Sequence, residues 1–307
     1  MISILVPIYN GEKYIQNNIE TLLNQKYNNI EIICINDGST DDTQNILNKI
    51  AGMDSRVIVI NKNNSGYGHS MNTGLSYATG KYIAIMEGDD FVSSDMLETL
   101  RDLAEEHDCD VVKSDWYYYF DSQKKEIKAN QVDNNIVTNI LDDYSPLLIQ
   151  ASIWSCLYRR EFLLNENIKF LETPGASYQD TSFSFKCFAT SRKSLLIDQA
   201  FVRYRLDNEQ SSVNSSSKVW EITKEYKEIE RFLNERNLHN SSLITPYLVN
   251  MFKGYNWNLS RIKKDYKKEF LKYFSSTFKK YKDLNLLNDK FFNHIEKDLF
   301  ENIIQEE

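Results

Sequence analysis

Apolar positions follow two alternating rhythms through the first hundred residues. Unbroken runs at Ile2 to Val6, Ile30 to Ile35, Arg56 to Ile60 and Lys81 to Met86 read as short strands, the longest of them apolar enough to be buried on both faces. After each run, apolar residues recur three and four apart, as on one face of a helix. Tyr14, Ile15, Ile19, Leu22 and Leu23 mark a helix within Glu12 to Gln25, and Ile46, Leu47 and Ile50 mark a second. A third is expected from about Ser70 to Ala78, and a fourth over Leu97 to Glu106. Ser39 or Thr40 is the expected N-cap of the second. Strands alternating with helices predict a parallel sheet covered on both faces. Ligands of such sheets lie at the carboxyl ends of the strands. The polar clusters Tyr9-Asn10, Asp37-Gly38-Ser39, Asn64 to Gly68 and Glu87 to Asp90 each follow a strand, so they converge on one edge.

The pattern changes after Asp110. Val111-Val112 opens a strand that runs into Trp116-Tyr117-Tyr118-Tyr119-Phe120, and Lys124 to Asp143 reads as polar hairpin and loop. Trp154, Leu157, Tyr158 and Phe162 introduce the stretch Gly175 to Phe183, which leads into a helix carrying Phe185, Cys187 and Phe188. Ser194 to Ile197 and Ala200 to Tyr204 read as two strands, Asp207 to Ser217 as a serine-rich loop, and everything from Val219 onward as helix. This divides the chain into residues 1–112, 113–217 and 218–307.

Composition narrows the classes. With 307 residues, 41% apolar and 26% charged, the chain reads as globular, with enough length for a full core. A net charge of −8 argues against a general nucleic-acid binder and against the basic channel of a template-dependent polymerase. Cys34, Cys109, Cys156 and Cys187 lie far apart with no zinc spacing, and read as reduced thiols of a cytoplasmic protein. No signal peptide is expected, because the chain opens directly into a strand. No apolar run is long enough to span a bilayer. Gly66-Tyr67-Gly68-His69-Ser70-Met71 lacks the third glycine of a dinucleotide fingerprint and follows the third strand rather than the first.

The most informative stretch is Ala84-Ile85-Met86-Glu87-Gly88-Asp89-Asp90-Phe91, where a buried strand stops at three carboxylates and a glycine. Like charges this close repel. The cluster therefore either sits in open water or holds a hard cation such as Mg²⁺ or Mn²⁺, which is commonly shared with a substrate's phosphates. Gly88 would let a ligand approach the backbone.

Five motifs in order resemble the family 2 glycosyltransferases, inverting enzymes of the GT-A fold: Val6-Pro7-Ile8-Tyr9-Asn10, Asn36-Asp37-Gly38-Ser39-Thr40-Asp41, Asn64-Ser65-Gly66 with Asn72-x-Gly74, Glu87-Gly88-Asp89-Asp90, and Gln179-Asp180. The resemblance covers roughly Ile2 to Ser212. It implies a mixed α/β sheet of GT-A type with a helical C-terminal extension, acting on a nucleotide-sugar donor, most often a UDP-sugar. Pro7, Tyr9, Asp37, Asn64, Gly66, Glu87, Gly88 and Asp89 would form the nucleotide pocket. Asp89 and Glu87 would be the metal ligands for Mn²⁺ or Mg²⁺, and Asp90 would support them from behind. Asp180 would be the general base, Trp154 and Gln179 would meet the acceptor, and Arg205, Ser211 and Ser212 would close over the donor. The acceptor class it implies is a glycan or lipid-linked glycan of the bacterial surface. Three positions depart from the family pattern: Ser70-Met71-Asn72 stands for Ala-Arg-Asn, Gln179 for Glu and Cys156 for Lys. The competing reading is a catalytically silent nucleotide-sugar-binding subunit, which would tolerate loss of Asp180.

The tail lies outside the resemblance. Val219, Ile222, Tyr226, Ile229 and Leu233 recur at helical spacing, as do Tyr266, Phe270, Tyr273, Phe278 and Tyr281. The second helix carries Lys263, Lys264, Lys267, Lys268, Lys272, Lys279, Lys280 and Lys282. Two readings stay open. The helix lies on the inner face of the cytoplasmic membrane, or its aromatic stripe packs on the catalytic domain or a second subunit of a homo-oligomer.

Overall fold

The computed structural model describes residues 1–132, 135–140, 143–208, 218–238 and 242–305. It separates into two compact units, one of Met1–Pro146 with Gln150–Ser211 and one of Leu147–Ile149 with Ser212–Glu307.

The first unit is a ten-stranded mixed sheet. Its opening half alternates β1 (Ile2–Ile8), α1 (Ile15–Leu23), β2 (Ile30–Asn36), α2 (Thr43–Met53), β3 (Val57–Asn61), α3 (Tyr67–Tyr77) and β4 (Tyr82–Ile85). β1 pairs in parallel with β2 and β4, and β2 with β3. Ile4, Leu5, Val6, Ile32, Ile33, Cys34, Ile83 and Ile85 are fully buried. Since successive strand residues point to opposite faces, that burial means both faces are covered.

The second half continues with β5 (Phe91–Val92), α4 (Met96–Glu106), β6 (Val111–Phe120), β7 (Lys125–Lys128), β8 (Ile136–Thr138), α5 (Ser145–Leu148), β9 (Cys156–Arg159), α6 (Arg160–Asn165), α7 (Gln179–Thr190) and β10 (Ser194–Arg205). Strand order is β3-β2-β1-β4-β9-β6-β10-β5, with β7 on β6 and β8 on β10. β9 runs antiparallel to both β4 and β6, joining the opening parallel layer to the strands beyond it. The two short strands expected at 194–197 and 200–204 are one, β10, bent by register irregularities around Ala200. Ser39 and Thr40 do not cap α2, which begins at Thr43. Ser39 Oγ accepts from the Asn10 amide at 2.9 Å and the Thr40 amide donates to Asn10 Oδ1 at 2.8 Å, so both tie the β2 end to the β1 end.

The second unit is helical: α8 (Glu221–Glu235), α9 (Ile244–Arg261), α10 (Lys264–Asp283), α11 (Asp289–Phe292) and α12 (Lys297–Gln305). Here the aromatic stripe of α10 is core. Phe270, Phe274 and Phe278 are fully buried. Phe252 of α9 lies 5.1 Å from Phe274 and 5.4 Å from Phe278 between ring centroids, and Phe300 of α12 lies 6.2 Å from Phe278. The stripe is therefore closed to a membrane, because its apolar area is already spent.

Candidate active site

The acidic turn forms because β4 ends at Ile85 and the chain reverses at once, the Asp90 amide donating to the Glu87 carbonyl at 3.2 Å. Asn18 of α1 pins it. Its buried Nδ2 donates to the carbonyl oxygens of both Glu87 and Asp90 at 2.8 Å. Asn18 occupies a core position of its helix, beside Ile15, Ile19 and Leu22, and that misplaced polarity is the signal by which the sequence could have revealed it.

The three carboxylates have different surroundings. Glu87 accepts from the Tyr67 hydroxyl at 2.7 Å. Burial pushes the Glu87 carboxyl up to about 7 against that hydrogen bond, with the charges of Asp89 and Asp180 adding to the rise. Asp89 accepts from Asn208 Nδ2 at 2.7 Å. Asp90 is fully buried and accepts from the Arg205 amide at 2.8 Å, while its Oδ2 has no hydrogen-bond partner among the described residues. Burial and then the neighbouring Asp89 push its carboxyl well above the usual range.

Arg205 was expected to close over the donor. It is instead buried behind the turn: Nε donates to the Asp89 carbonyl at 2.9 Å, Nη1 lies 3.2 Å from Asp121, and Tyr14 and Tyr119 flank the guanidinium at 4.6 and 5.2 Å. Ser211 and Ser212 lie outside the described residues.

At the end of β2, Asp37 is turned onto the protein's own loop. It accepts from the amides of Ser65 at 2.9 Å and Gly66 at 3.0 Å and pairs with Lys62. Its part is to hold the 62–66 loop in place, with Asn64 exposed on that loop. Tyr9, at the end of β1, is 55% exposed, with its ring free to meet a planar ligand. Pro7 is buried in β1, and a Cβ on Gly88 would come no closer than 3.5 Å to its carbonyl oxygen. Gly88 is thus not demanded by the fold.

Gly66 and Gly68 are demanded. Gly66 has φ of +92°, and a Cβ there would meet the Thr173 carbonyl oxygen at 2.6 Å. On Gly68 it would fall 2.1 Å from the Leu171 carbonyl oxygen. The start of α3 therefore packs backbone to backbone against residues 171–175, joined by a 2.9 Å bond from the Tyr67 amide to the Gly175 carbonyl. Gln179 holds the same segment. Its Nε2 donates to Thr173 Oγ1 at 2.8 Å, and its Oε1 accepts from the Ser177 amide at 2.5 Å. Gln179 is buried with its amide bonded within the loop, so it shapes the segment. Tyr178, in left-handed conformation with φ of 64°, turns the chain into α7.

Asp180 follows at the first turn of that helix. Burial raises its carboxyl to about 6, opposed by the Thr181 and Asp180 amides at the helix start and by the charge of Lys113. Lys113 is fully buried on β6, in register with Cys156, and its ammonium donates to the Ser152 carbonyl at 3.0 Å, to Ser155 Oγ at 3.1 Å and to Ser152 Oγ. The cation missing at position 156 is thereby supplied from the next strand. Trp154 is buried, stacked on Tyr204 at 4.9 Å and edge-on to Trp116 at 5.3 Å. The phenol of Tyr204 is raised by burial and then by Asp90, Asp89, Glu87 and Asp180. Four carboxylates from two distant stretches thus act on one ring.

Substituting Gly68 by alanine should displace residues 171–175. We expect a lowered melting temperature and at least a ten-fold loss of turnover, against an unchanged melting temperature for Gly88→Ala. Equal melting temperatures for the two variants would show that the contact at Leu171 yields.

Residues 3–198 match the family model described as glycosyl transferase family 2. The chain is 32% identical over 218 residues to the glycosyltransferase EpsJ of Bacillus subtilis, 67% of this chain and 61% of EpsJ. It is 29% identical over 231 residues to the glycosyltransferase GlyA of Streptococcus pneumoniae, 71% of this chain and 32% of GlyA. The matches thus cover less than two thirds of the length of either relative. The crystal structure of S. aureus TarS 1-349 in complex with UDP-GlcNAc matches with a TM-score of 0.72 at 20% identity, covering 97% of this chain and 83% of that one. This likeness shows the fold, a GT-A fold.

Proposed function

The chain belongs to glycosyl transferase family 2, and on that premise we propose that it moves a sugar from a nucleotide donor, a UDP-sugar, to a hydroxyl of a bacterial surface glycan, with inversion at the anomeric carbon. The observation that carries this reading is the pairing of two unlike acidic groups. One is a turn whose carboxylates Glu87 and Asp89 each accept a single hydrogen bond among the described residues, from Tyr67 and from Asn208. The other is Asp180, a lone buried carboxylate on a helix start, close enough for its charge to be felt at Glu87.

Asp180 accepts the proton of the acceptor hydroxyl as that oxygen attacks. A base lifted to about 6 is ionised at neutral pH yet more basic than an exposed aspartate. Tyr67 orients Glu87 through its hydroxyl, and Tyr9 stacks on the base of the nucleotide.

Glu87 and Asp89 are the residues that would hold a divalent cation. The donor set fits: both offer hard oxygen, and neither has an ion-pair partner among the described residues. Two carboxylates fall short of a closed cage, and no group of three or more such ligands occurs among the described residues, which suits an ion shared with a diphosphate. When bound, it supplies positive charge against the negative charge gathering on the leaving diphosphate.

TarS was crystallised with UDP-GlcNAc and also with UDP, which supports uridine as the donor base. A thermal-shift series with UDP-sugars and GDP-sugars, each with and without Mn²⁺, tests this, since a bound donor stabilises the fold by mass action. At a hundred-fold excess over Kd, the gain is about 2.7 kcal/mol. A response to guanosine nucleotides alone would transfer the assignment to another donor class.

A further inference from the structure

We propose that the tip of the α9–α10 hairpin is a docking surface for an anionic lipid bilayer. Phe270, Phe274 and Phe278 of α10 are buried, so what this helix presents outward comes from its ends and its other positions. Two large aromatic residues remain exposed near the turn, Trp257 at 45% and Tyr266 at 41%. Trp257 lies one turn before the end of α9, and Tyr266 lies in the first turn of α10. At 1.5 Å rise per residue, each is within about 6 Å along its axis of the connection at Ile262-Lys263.

The same end carries Arg261, Lys263, Lys264, Lys267 and Lys268, with Asp265 the one acid between them. Arg261 lies over the Trp257 ring at 4.7 Å, and Lys267 Nζ donates to the Ser260 carbonyl at 3.3 Å across the turn. Lys272 and Lys279 continue the exposed row along α10, while Lys280 and Lys282 each lie 4.0 Å from a carboxylate, of Glu230 and Glu301. Residues 261–282 hold nine basic and two acidic residues, a net charge of +7 within a chain of −8. Such segregation of charge is an electrostatic footprint for an anionic partner.

The aromatics decide which anion. A polyanion without aromatic bases, such as polyphosphate, offers nothing for a ring to bury against, whereas tryptophan and tyrosine beside a basic cluster suit the headgroup boundary, with an apolar ring on one side and a polar edge on the other. The surface needs no membrane-spanning segment, and among the described residues no helix is long and apolar enough to cross a membrane.

The test is flotation of the full chain with vesicles of 30% phosphatidylglycerol in phosphatidylcholine, against phosphatidylcholine alone, at low and high salt. We expect binding to the anionic vesicles only, weakened at least ten-fold by 0.5 M salt. A Lys263→Gln, Lys264→Gln, Lys267→Gln, Lys268→Gln variant should lose at least ten-fold in vesicle affinity. A Trp257→Ala, Tyr266→Ala variant should lose at least five-fold, yet bind soluble polyphosphate as the unaltered chain does. All these positions lie on the surface, so the melting temperatures of the variants should match the parent. Absence of vesicle binding by the parent chain overturns the proposal. So does full vesicle binding by the aromatic variant with polyphosphate as an equal competitor, which would make the surface a polyanion site. The assay involves no nucleotide sugar, so its failure leaves the transfer reading untouched.

Discussion

Asp180→Asn is expected to lower kcat by two to four orders of magnitude, of the order of ~10²–10⁴, while the affinity for UDP stays within about two-fold of the parent. The substitution keeps the shape of the side chain and removes the proton acceptor. In the proposed reading the donor is held by the turn at the end of β4 and the end of β1, so binding should survive. Misfolding can be separated from lost chemistry, because the two move stability in opposite directions. A carboxyl raised by burial binds its proton more tightly in the folded state than in the unfolded one. Between about pH 4, the ordinary carboxylate range, and pH 6, the folded protein therefore carries more protons, and stability falls as pH rises through that window. Above about pH 6 the whole penalty applies. Asparagine lacks it, so the variant should be more stable than the parent at pH 8, by about 1–3 kcal/mol, and the difference should vanish near pH 4. The parent's kcat/KM should show an acid limb with a midpoint near 6. Near-normal turnover by Asp180→Asn would place the base elsewhere.

Asp89→Ala should abolish measurable turnover and, in Mn²⁺, weaken UDP binding by at least ten-fold. The turn should survive the change. Asn18 holds the carbonyls of Glu87 and Asp90, and Arg205 holds the backbone carbonyl of Asp89 rather than its carboxylate. The mutation thus removes one oxygen-bearing group and leaves its frame. Calorimetric titration of UDP with Mn²⁺ and with EDTA separates the contributions: the parent should depend on the metal and the variant should not. Unchanged UDP affinity in Mn²⁺ would show that Asp89 is no ligand and that the cluster is a solvated turn.

Asp37, Gln179, Trp154 and Arg205 show where reading a motif and reading a structure part company. All four occupy positions at which the family resemblance implies contact with a ligand, and in the structure each is engaged by other parts of the protein. Asp37 holds the loop after β3, Gln179 the loop before α7, and Arg205 the acidic turn. Trp154 forms a wall with Tyr204 and Trp116. A motif records that a residue type matters at a place in the chain. It does not record whether the side chain faces a substrate or the next loop.

The sequence by itself determined the opening half of the sheet and the edge on which the polar clusters meet. Runs as apolar as β1, β2 and β4 suit interior strands buried on both faces, while β3 is a half-exposed edge strand. Each run is followed by a stretch with the period of a helix or by the acidic turn, the alternation expected of parallel strands with their carboxyl ends together. That is a local property of spacing, available without any partner. It also placed Asp180 at a helix start and the carboxylates of Glu87 to Asp90 at a strand end. Only the tertiary structure decided what those groups feel. The rise of Glu87 to about 7 comes from burial, then from Asp89 and from Asp180, 93 residues away in the chain. The rise of Asp180 to about 6 comes from burial, which no window of sequence contains. Likewise, periodicity shows that Phe270, Phe274 and Phe278 share a face of α10, but not whether protein or lipid covers it. The rings of Phe252 and Phe300 answer that, because burial is set by what arrives from elsewhere in the chain.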